Sequence, residues 1–339
     1  MAWLHENLYQ DVVMEKEKYF SLFTGIGGFE LGIGAGHECV GYSEIDKYAI
    51  KIYQKHFPNH KNYGDITKIN EKELPAFDLL VGGFPCQSFS IAGKRGGFED
   101  TRGTLFFDIA RILKEKQPRL LLLENVKGLL SHDNGNTFKV IITTLAELGY
   151  DLQWQVLNSK NHGVPQNRER IFIVGNLRGT TRPQVFPFGK NDGVSDSSEP
   201  ADAGRAQAEV SHTIRGSSVK ADQLFVGTLR THKGGNRQPF IQNPKMLNYK
   251  KDYDNSVAIT ATSYKEPPVV NAIRRLTPTE CERLQGFPDG WTKFGLESKD
   301  IGNGGELKKN IEISDTQRYK CLGNAVTVNV IRDIIERLL

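Results

Sequence analysis

Residues 77–90, FDLLVGGFPCQSFS, pass from an apolar run straight into two glycines, a proline and a cysteine. Phe77 to Val81 reads as a buried strand, and the turn after it is where open α/β sheets collect their chemistry, outside the carboxyl ends of the strands. Pro85 fixes its own backbone torsion and keeps Phe84 out of the helical region, so the chain itself aims Cys86. A cysteine that only fills core volume needs no such mounting. The other three, Cys39, Cys281 and Cys321, form no CxxC pair and no dense framework. That pattern argues against disulfides and structural zinc and leaves room for one reactive thiol.

The rhythm around this stretch sets the fold class. Up to about Asn176, short apolar runs over 18–23, 38–43, 77–81, 119–123, 152–157 and 170–175 alternate with amphipathic segments. This predicts an α/β fold with a mostly parallel sheet, crossed by helices over 105–113 and 137–148. The second of these carries Phe138, Ile141, Ile142 and Leu145 at helical spacing, and Phe138 and Trp154 read as core. Residues 191–204, rich in acids, Ser, Ala and Gly, read as a flexible linker. From there to about Val270 come glycine-rich turns and short β-prone pieces over 224–229 and 257–262, with no long helix, which predicts a smaller, irregular, β-containing second domain. A helix resumes at Thr277 with Pro278 in its first turn, and 325–339 reads as a final helix. The expected division is a catalytic and cofactor-binding body over 1–176, a second domain over 177–272, and a segment over 273–339 that returns to the body.

At 339 residues with 38% hydrophobic content the chain can bury a full core without staples. No apolar segment approaches the roughly 20 residues of a membrane span, and residues 1–18 are polar and charged rather than signal-like, so an intracellular location is expected. The net charge of +4 is unevenly spread. Residues 205–251 hold nine Lys or Arg against Glu209 and Asp222, and the remainder is slightly acidic. A cationic segment on a near-neutral body suits a polyanion such as nucleic acid, and it equally suits a solvated lysine-rich surface.

Four further places carry chemistry. The first strand runs into Phe23-Thr24-Gly25-Ile26-Gly27-Gly28, a turn that lets a ligand touch backbone at the start of a helix, or that serves only as a tight turn. It is not the dinucleotide fingerprint, because Glu30 stands where the third glycine would fall. Glu44, at the end of the second strand, is placed to bind both hydroxyls of a ribose. Asp65, expected at the end of the next strand, could accept from an adenine amino group. Two acids with no basic residue nearby suit a ligand of positive charge, such as a sulfonium. Glu124, at the tip of a central strand, would have its pKa raised by burial beside a thiol and could protonate a ring nitrogen; a strand-end Glu also serves as cap or ion-pair partner. Arg168 and Arg170, two apart, share one face and could meet a phosphate, a base carbonyl or Glu124. Gly93-Lys94-Arg95-Gly96-Gly97 is a cationic loop just past the thiol.

Taken in order, these motifs resemble the DNA cytosine-5 methyltransferases of bacterial restriction-modification systems, from about Tyr19 to the C-terminus. Phe23 to Gly28 is similar to the first cofactor motif, Glu44 to the ribose acid and Asp65 to the adenine-contacting acid. Phe84 to Ser90 is similar to the nucleophile loop, Glu124-Asn125-Val126 to the ENV motif, and Gln166, Arg168 and Arg170 to the QxRxR motif. Arg275 to Trp291 resembles the segment after the target recognition domain, and Gly323-Asn324-Ala325-Val326 the last motif. The chain departs from the common pattern at Thr24 and Ile45, which bear on cofactor affinity. It also has Ala261 in the second place of a Thr-Leu element near Thr260.

The resemblance implies a Rossmann-like methyltransferase fold with a target recognition domain. It implies S-adenosylmethionine as donor, S-adenosylhomocysteine as product, and no metal. Cofactor contacts are expected from Phe23, Gly25, Gly27, Gly28, Glu44, Asp65, Ile66, Pro85, Asn324 and Val326. Catalysis falls to Cys86 as nucleophile, Glu124, Arg168 and Arg170, with Arg168 orienting Glu124. Contacts to the extruded cytosine and to double-stranded DNA are expected from Gln87, Ser88, Lys94, Arg95, Gln166 and Thr260. A monomer suffices for one base per turnover, and a cognate endonuclease would act separately, in the bacterial cytoplasm or nucleoid. The rivals are the RNA-acting branch of the same family, a silent binding module and a nucleotide-dependent oxidoreductase; the long variable region, the retained thiol and acid, and Glu30 respectively weigh against them. His162 as a general base is a minor alternative, since the proposed steps already have their acid.

Overall fold

Leucine-rich runs such as Leu120 to Leu123 bury every side chain, which in a strand requires cover on both faces of the sheet. A computed structural model of the chain shows that cover; it describes residues 16–85, 105–181, 183–188, 212–214, 256–257, 269–270, 274–302 and 305–339. In chain order the body comprises β1 (Lys18–Leu22), α1 (Gly28–Ile33), β2 (Glu38–Ser43), α2 (Lys47–His56), β3 (Leu79–Gly83), α3 (Leu105–Lys116), β4 (Leu120–Val126), α4 (Asn136–Glu147), β5 (Tyr150–Asn158), β6 (Gln166–Asn167) and β7 (Glu169–Leu177). Four short strands follow: β8 (His212–Ile214), β9 (Ser256–Val257), β10 (Val269–Val270) and β11 (Arg274–Arg275). The chain then forms α5 (Pro278–Leu284), the hairpin β12 (Phe294–Gly302) and β13 (Gly305–Glu312), α6 (Asp315–Asn324) and α7 (Val328–Leu338).

Among the described residues the main sheet has seven strands in the order β2-β1-β3-β4-β7-β5-β8. The first four pair in parallel. β7 is antiparallel to both β4 and β5, and β8 is antiparallel to β5, so β7 and β8 alone are reversed in this sheet. The sheet is therefore mostly parallel, as the alternating pattern predicts. Side chains alternate faces along each strand. Phe20, Leu22, Leu80, Leu121 and Leu123 pack on one side with Phe106, Ile109 and Ile112 of α3 and Ile141 and Leu145 of α4. Tyr19, Leu79, Val81, Leu120 and Leu122 pack on the other with Phe29 of α1 and Ile331, Ile334 and Ile335 of α7. Each fully buried Leu or Ile in these layers contributes on the order of 1.5–3 kcal/mol of transfer free energy.

Several expectations are refined. The final helix begins at Val328, because Ala325 and Thr327 are extended and separate it from α6. Asp65 does not end a strand. Pairing at that edge is a single bridge between Tyr42 and Asn62, and Asp65 instead caps a turn of 3₁₀ helix over Ile66–Lys68. The helix α2 and the hairpin β12–β13 were not anticipated; the hairpin lies outside the main sheet and mixes charged and apolar residues, which blurs its alternation. The linker expected over 191–204 lies outside the described residues.

Candidate active site

The glycine turn leaves β1 through a strained backbone. Phe23 has φ 54, Gly25 φ 57 and Gly27 φ 89, the left-handed region that an aromatic residue enters only when its surroundings hold it there. The turn is crowded on its protein side and open on the other. A Cβ at Gly27 would lie 2.6 Å from the ring of Phe57, and one at Gly28 would lie 2.8 Å from Val326, whereas nothing comes within 4 Å of the same position at Gly25. Val326, which begins far down the chain, thus packs directly on the turn.

Glu44 fastens this turn to the end of β2. Its Oε2 accepts from the Gly25 amide at 2.9 Å, and its Oε1 accepts from the amides of Ile45 and Asp46 at 2.8 Å each. A carboxylate has about four acceptor sites, so capacity remains for ligand hydroxyls. No cation pairs with Glu44 among the described residues. Asp65 accepts from the amide and hydroxyl of Thr67, at 3.0 and 2.8 Å, and those hydrogen bonds hold its carboxyl below the usual range. Lys68 lies 3.8 Å from it, which corrects the expectation that both acids are free of basic neighbours. The Ile66 side chain is buried in the core, Pro85 and Asn324 are exposed, and Ile45 is 72% exposed beside the ribose acid. Open backbone at Gly25, a half-buried aromatic ring at Phe23 and an acid with spare acceptor capacity fit an adenosine ligand.

Two strands away, Glu124 sits at the end of β4, in register with Gly83 of β3. A Cβ at position 83 would stand 3.0 Å from Oε2 of Glu124, so glycine there makes room for the acid. The carboxyl is 8% exposed and its Oε1 lies 3.0 Å from Nε of Arg170. Burial pushes its pKa up, against the opposing charges of Arg170 and then Arg168. Asn125, also buried, donates from Nδ2 to the carbonyl of Phe84 at 2.9 Å and accepts from the Val126 amide at 2.8 Å. The strand end that carries the acid therefore also grips the residue two before Cys86.

The two arginines divide their work differently from the expectation. Arg170 makes the ion pair with Glu124, while Arg168 donates to the carbonyls of Gly323 and Ala325 at 3.2 and 2.8 Å. Burial pulls the Arg168 guanidinium below its ordinary value, and it remains a cation at neutral pH. Gln166 is fully buried and donates to the carbonyl of Leu284 at 2.7 Å, so in this structure it braces the site from within. His162 is held by Asp333 of α7, Nδ1 to Oδ2 at 2.5 Å, an anchor for the loop before β6. Cys86, Gln87, Ser88, Lys94, Arg95 and Thr260 lie outside the described residues. Cys281 and Cys321 are buried thiols pushed up to about 12, which leaves them protonated packing groups.

The chain matches the family model for C-5 cytosine-specific DNA methylases over residues 18–339. It belongs to that family. Type II methyltransferase M1.ScrFI of Lactococcus lactis subsp. cremoris is 40% identical over 332 residues, covering 96% of this chain and 78% of its own length. Type II methyltransferase M.HhaI of Haemophilus parahaemolyticus is 37% identical over 332 residues, covering 94% and 92%. In fold, the chain is similar to the Dnmt2 methyltransferase of S. pombe, with a TM-score of 0.60, 18% identity and coverage of 94% of this chain and 97% of that one. The C-5 methylase described here is accordingly a DNA cytosine-5 methyltransferase, and its sheet is that of the methyltransferase fold.

Three features of the site were not read from the sequence. Gly83 was seen only as part of a loop, yet it vacates the space that Glu124 fills. Glu30 served only to exclude a nucleotide fingerprint, yet it is a buried acid 2% exposed, set among Tyr19, Ser21, Cys39 and Tyr53. Trp291 was the last letter of a motif, yet its indole Nε1 donates to the carbonyl of Ile26 inside the glycine turn at 2.9 Å. The signal for the first was two consecutive glycines at a strand end; the other two depend on tertiary neighbours.

Proposed function

We propose that this methylase transfers the methyl group of S-adenosylmethionine to C5 of a cytosine within a specific double-stranded sequence, on a base extruded from the helix and bonded transiently to Cys86. The observation that carries this reading is Glu124: a buried carboxyl with a raised pKa, paired with Arg170 and tied through Asn125 to the strand end that leads to Cys86.

The turn at 23–28, Glu44 and Asp65 would hold the donor, which supplies an electrophilic methyl group when bound. Cys86 as thiolate adds to C6 of the ring, and the displaced electron pair moves toward C5 while Glu124 donates a proton to N3. C5 becomes nucleophilic in this way. Once C5 is substituted, a base, with water sufficient, removes its proton, the C6–S bond breaks, the thiolate returns and N3 gives its proton back to Glu124. Arg170 steadies Glu124 through both changes of charge, and Arg168 ties that corner to residues 323–325. Extruding the base costs a few kcal/mol, which phosphate contacts of the basic region at 205–251 would offset. The type II role follows the names of its relatives; a separately acting endonuclease, a monomeric enzyme and a place in the bacterial cytoplasm are further parts of this proposal.

DNA carrying fluorine at C5 of the target cytosine tests the chemistry. Fluorine cannot leave as a proton, so the methylated adduct stays attached to Cys86 and survives denaturing electrophoresis. A correct target with donor present and no adduct overturns the covalent step.

A further inference from the structure

Trp291 closes the segment over 274–292 that follows the basic region, and it reaches into the glycine turn of the donor site. Its Nε1 donates to the Ile26 carbonyl at 2.9 Å, and both residues are buried. Ile26 is flanked by Gly25 and Gly27, both at positive φ, so the peptide it contributes has the least side-chain restraint in the turn. The indole itself is fixed from two sides. It stacks on His56 of α2 with centroids 3.5 Å apart and planes 4° apart, and His56 Nε2 lies 2.7 Å from the Trp291 carbonyl. Phe57 and Phe287 pack around it. Behind it, Glu282 accepts from the amides of Gly290 and Thr292 at 2.6 and 2.8 Å and from Arg318 of α6 at 3.2 Å, so the loop that presents Trp291 is rigid.

We infer that Trp291 is a positioning residue for the methyl donor: its N–H fixes the orientation of the peptide after Ile26, and so the backbone that the donor meets, from the segment returning from the region that reads DNA. This rests on the reading of residues 23–28 as the donor site. None of the residues that Trp291 touches takes part in the proposed chemistry at Glu124, so its effect falls on donor binding and not on the chemical step.

The test is calorimetric titration of the whole protein with S-adenosylhomocysteine, together with steady-state kinetics, on wild type and Trp291→Phe. Phenylalanine retains an aromatic ring against His56 and loses the N–H. Leaving the Ile26 carbonyl buried without its donor is expected to raise the Kd about tenfold and KM for S-adenosylmethionine similarly. The turnover number at saturating donor and KM for DNA should stay within about twofold. An unchanged Kd in a folded Trp291→Phe protein, or an equal loss in turnover number, overturns the inference. Should that variant fail to fold, benzothienylalanine at position 291 keeps the bicyclic shape without the N–H and is measured in its place, with the same outcomes. Failure of wild type itself to bind S-adenosylhomocysteine would instead overturn the donor-site reading.

Discussion

Two glutamates stand at strand ends of one sheet, on β2 at its edge and on β4 at its centre, and are held in opposite ways. Glu44, at the end of β2, is half-buried and surrounded by backbone amides, so its negative charge is distributed over three N–H groups and tethers a turn. Glu124, at the end of β4, is buried, paired with Arg170 and near Arg168, and burial raises its pKa despite both cations. Three amide donors tie Glu44 to the turn, whereas burial brings the protonated and ionised forms of Glu124 closer in free energy. The first arrangement suits an anchor and the second a group that must gain and lose a proton.

Substitutions separate the two roles. The largest effect is expected at E124Q, which keeps the size and hydrogen-bonding capacity but cannot transfer a proton: turnover should fall about 10²–10⁴-fold, with donor affinity little changed. Single-turnover methylation of duplex DNA measures this, and a loss below about tenfold would make Glu124 a positioning group only. E44A comes next. Freeing the amides of Gly25, Ile45 and Asp46 should raise the Kd for S-adenosylhomocysteine roughly 10–100-fold while turnover at saturating donor stays within a few-fold, if the acid serves binding alone. Equal damage to turnover would erase the distinction between the two acids.

The last effect falls on stability and not on the reaction, and concerns a third glutamate, which resembles neither. Burial lifts Glu30 to about 7 from its ordinary 4.5, and the groups facing it are Tyr19 and Ser21 of β1, Cys39 and Tyr42 of β2 and Tyr53 of α2, with no cation among them. The folded chain therefore keeps a proton that the unfolded chain releases, so stability falls as pH rises from about 4.5 to about 7 and levels off above. The loss is on the order of 3 kcal/mol at most. Denaturant unfolding of E30Q should lack this slope and be the more stable protein at pH 8; a wild-type slope in E30Q would show that other groups carry it.

How much of this was legible follows the same division. Glu44 and Glu124 stand at the ends of apolar runs, and a strand end announces its position in the linear pattern, so both acids and the turn at 23–28 could be placed before the fold was known. Which of Arg168 and Arg170 pairs with Glu124 is not legible in the sequence, because two residues at period-2 spacing share a face while their distances to an acid on another strand depend on register, here Val126 opposite Arg170. Asp65 reads as a strand end in the sequence because a polar residue after a glycine looks the same whether it closes a strand or caps a 3₁₀ turn. Glu30 and Trp291 carry no local signal. Their meaning comes from β2 and α2 in one case and from a contact 265 residues away in the other.

That Val326 packs on Gly28 and Arg168 is held by the carbonyls of Gly323 and Ala325 has a bearing on biosynthesis. The glycine turn and the corner at Arg168 are not complete until residues 323–326, made about 300 and about 155 residues after them, have docked. A chain that stops short of residue 323 lacks both contacts, and competence is expected to arrive in one late step instead of growing with length.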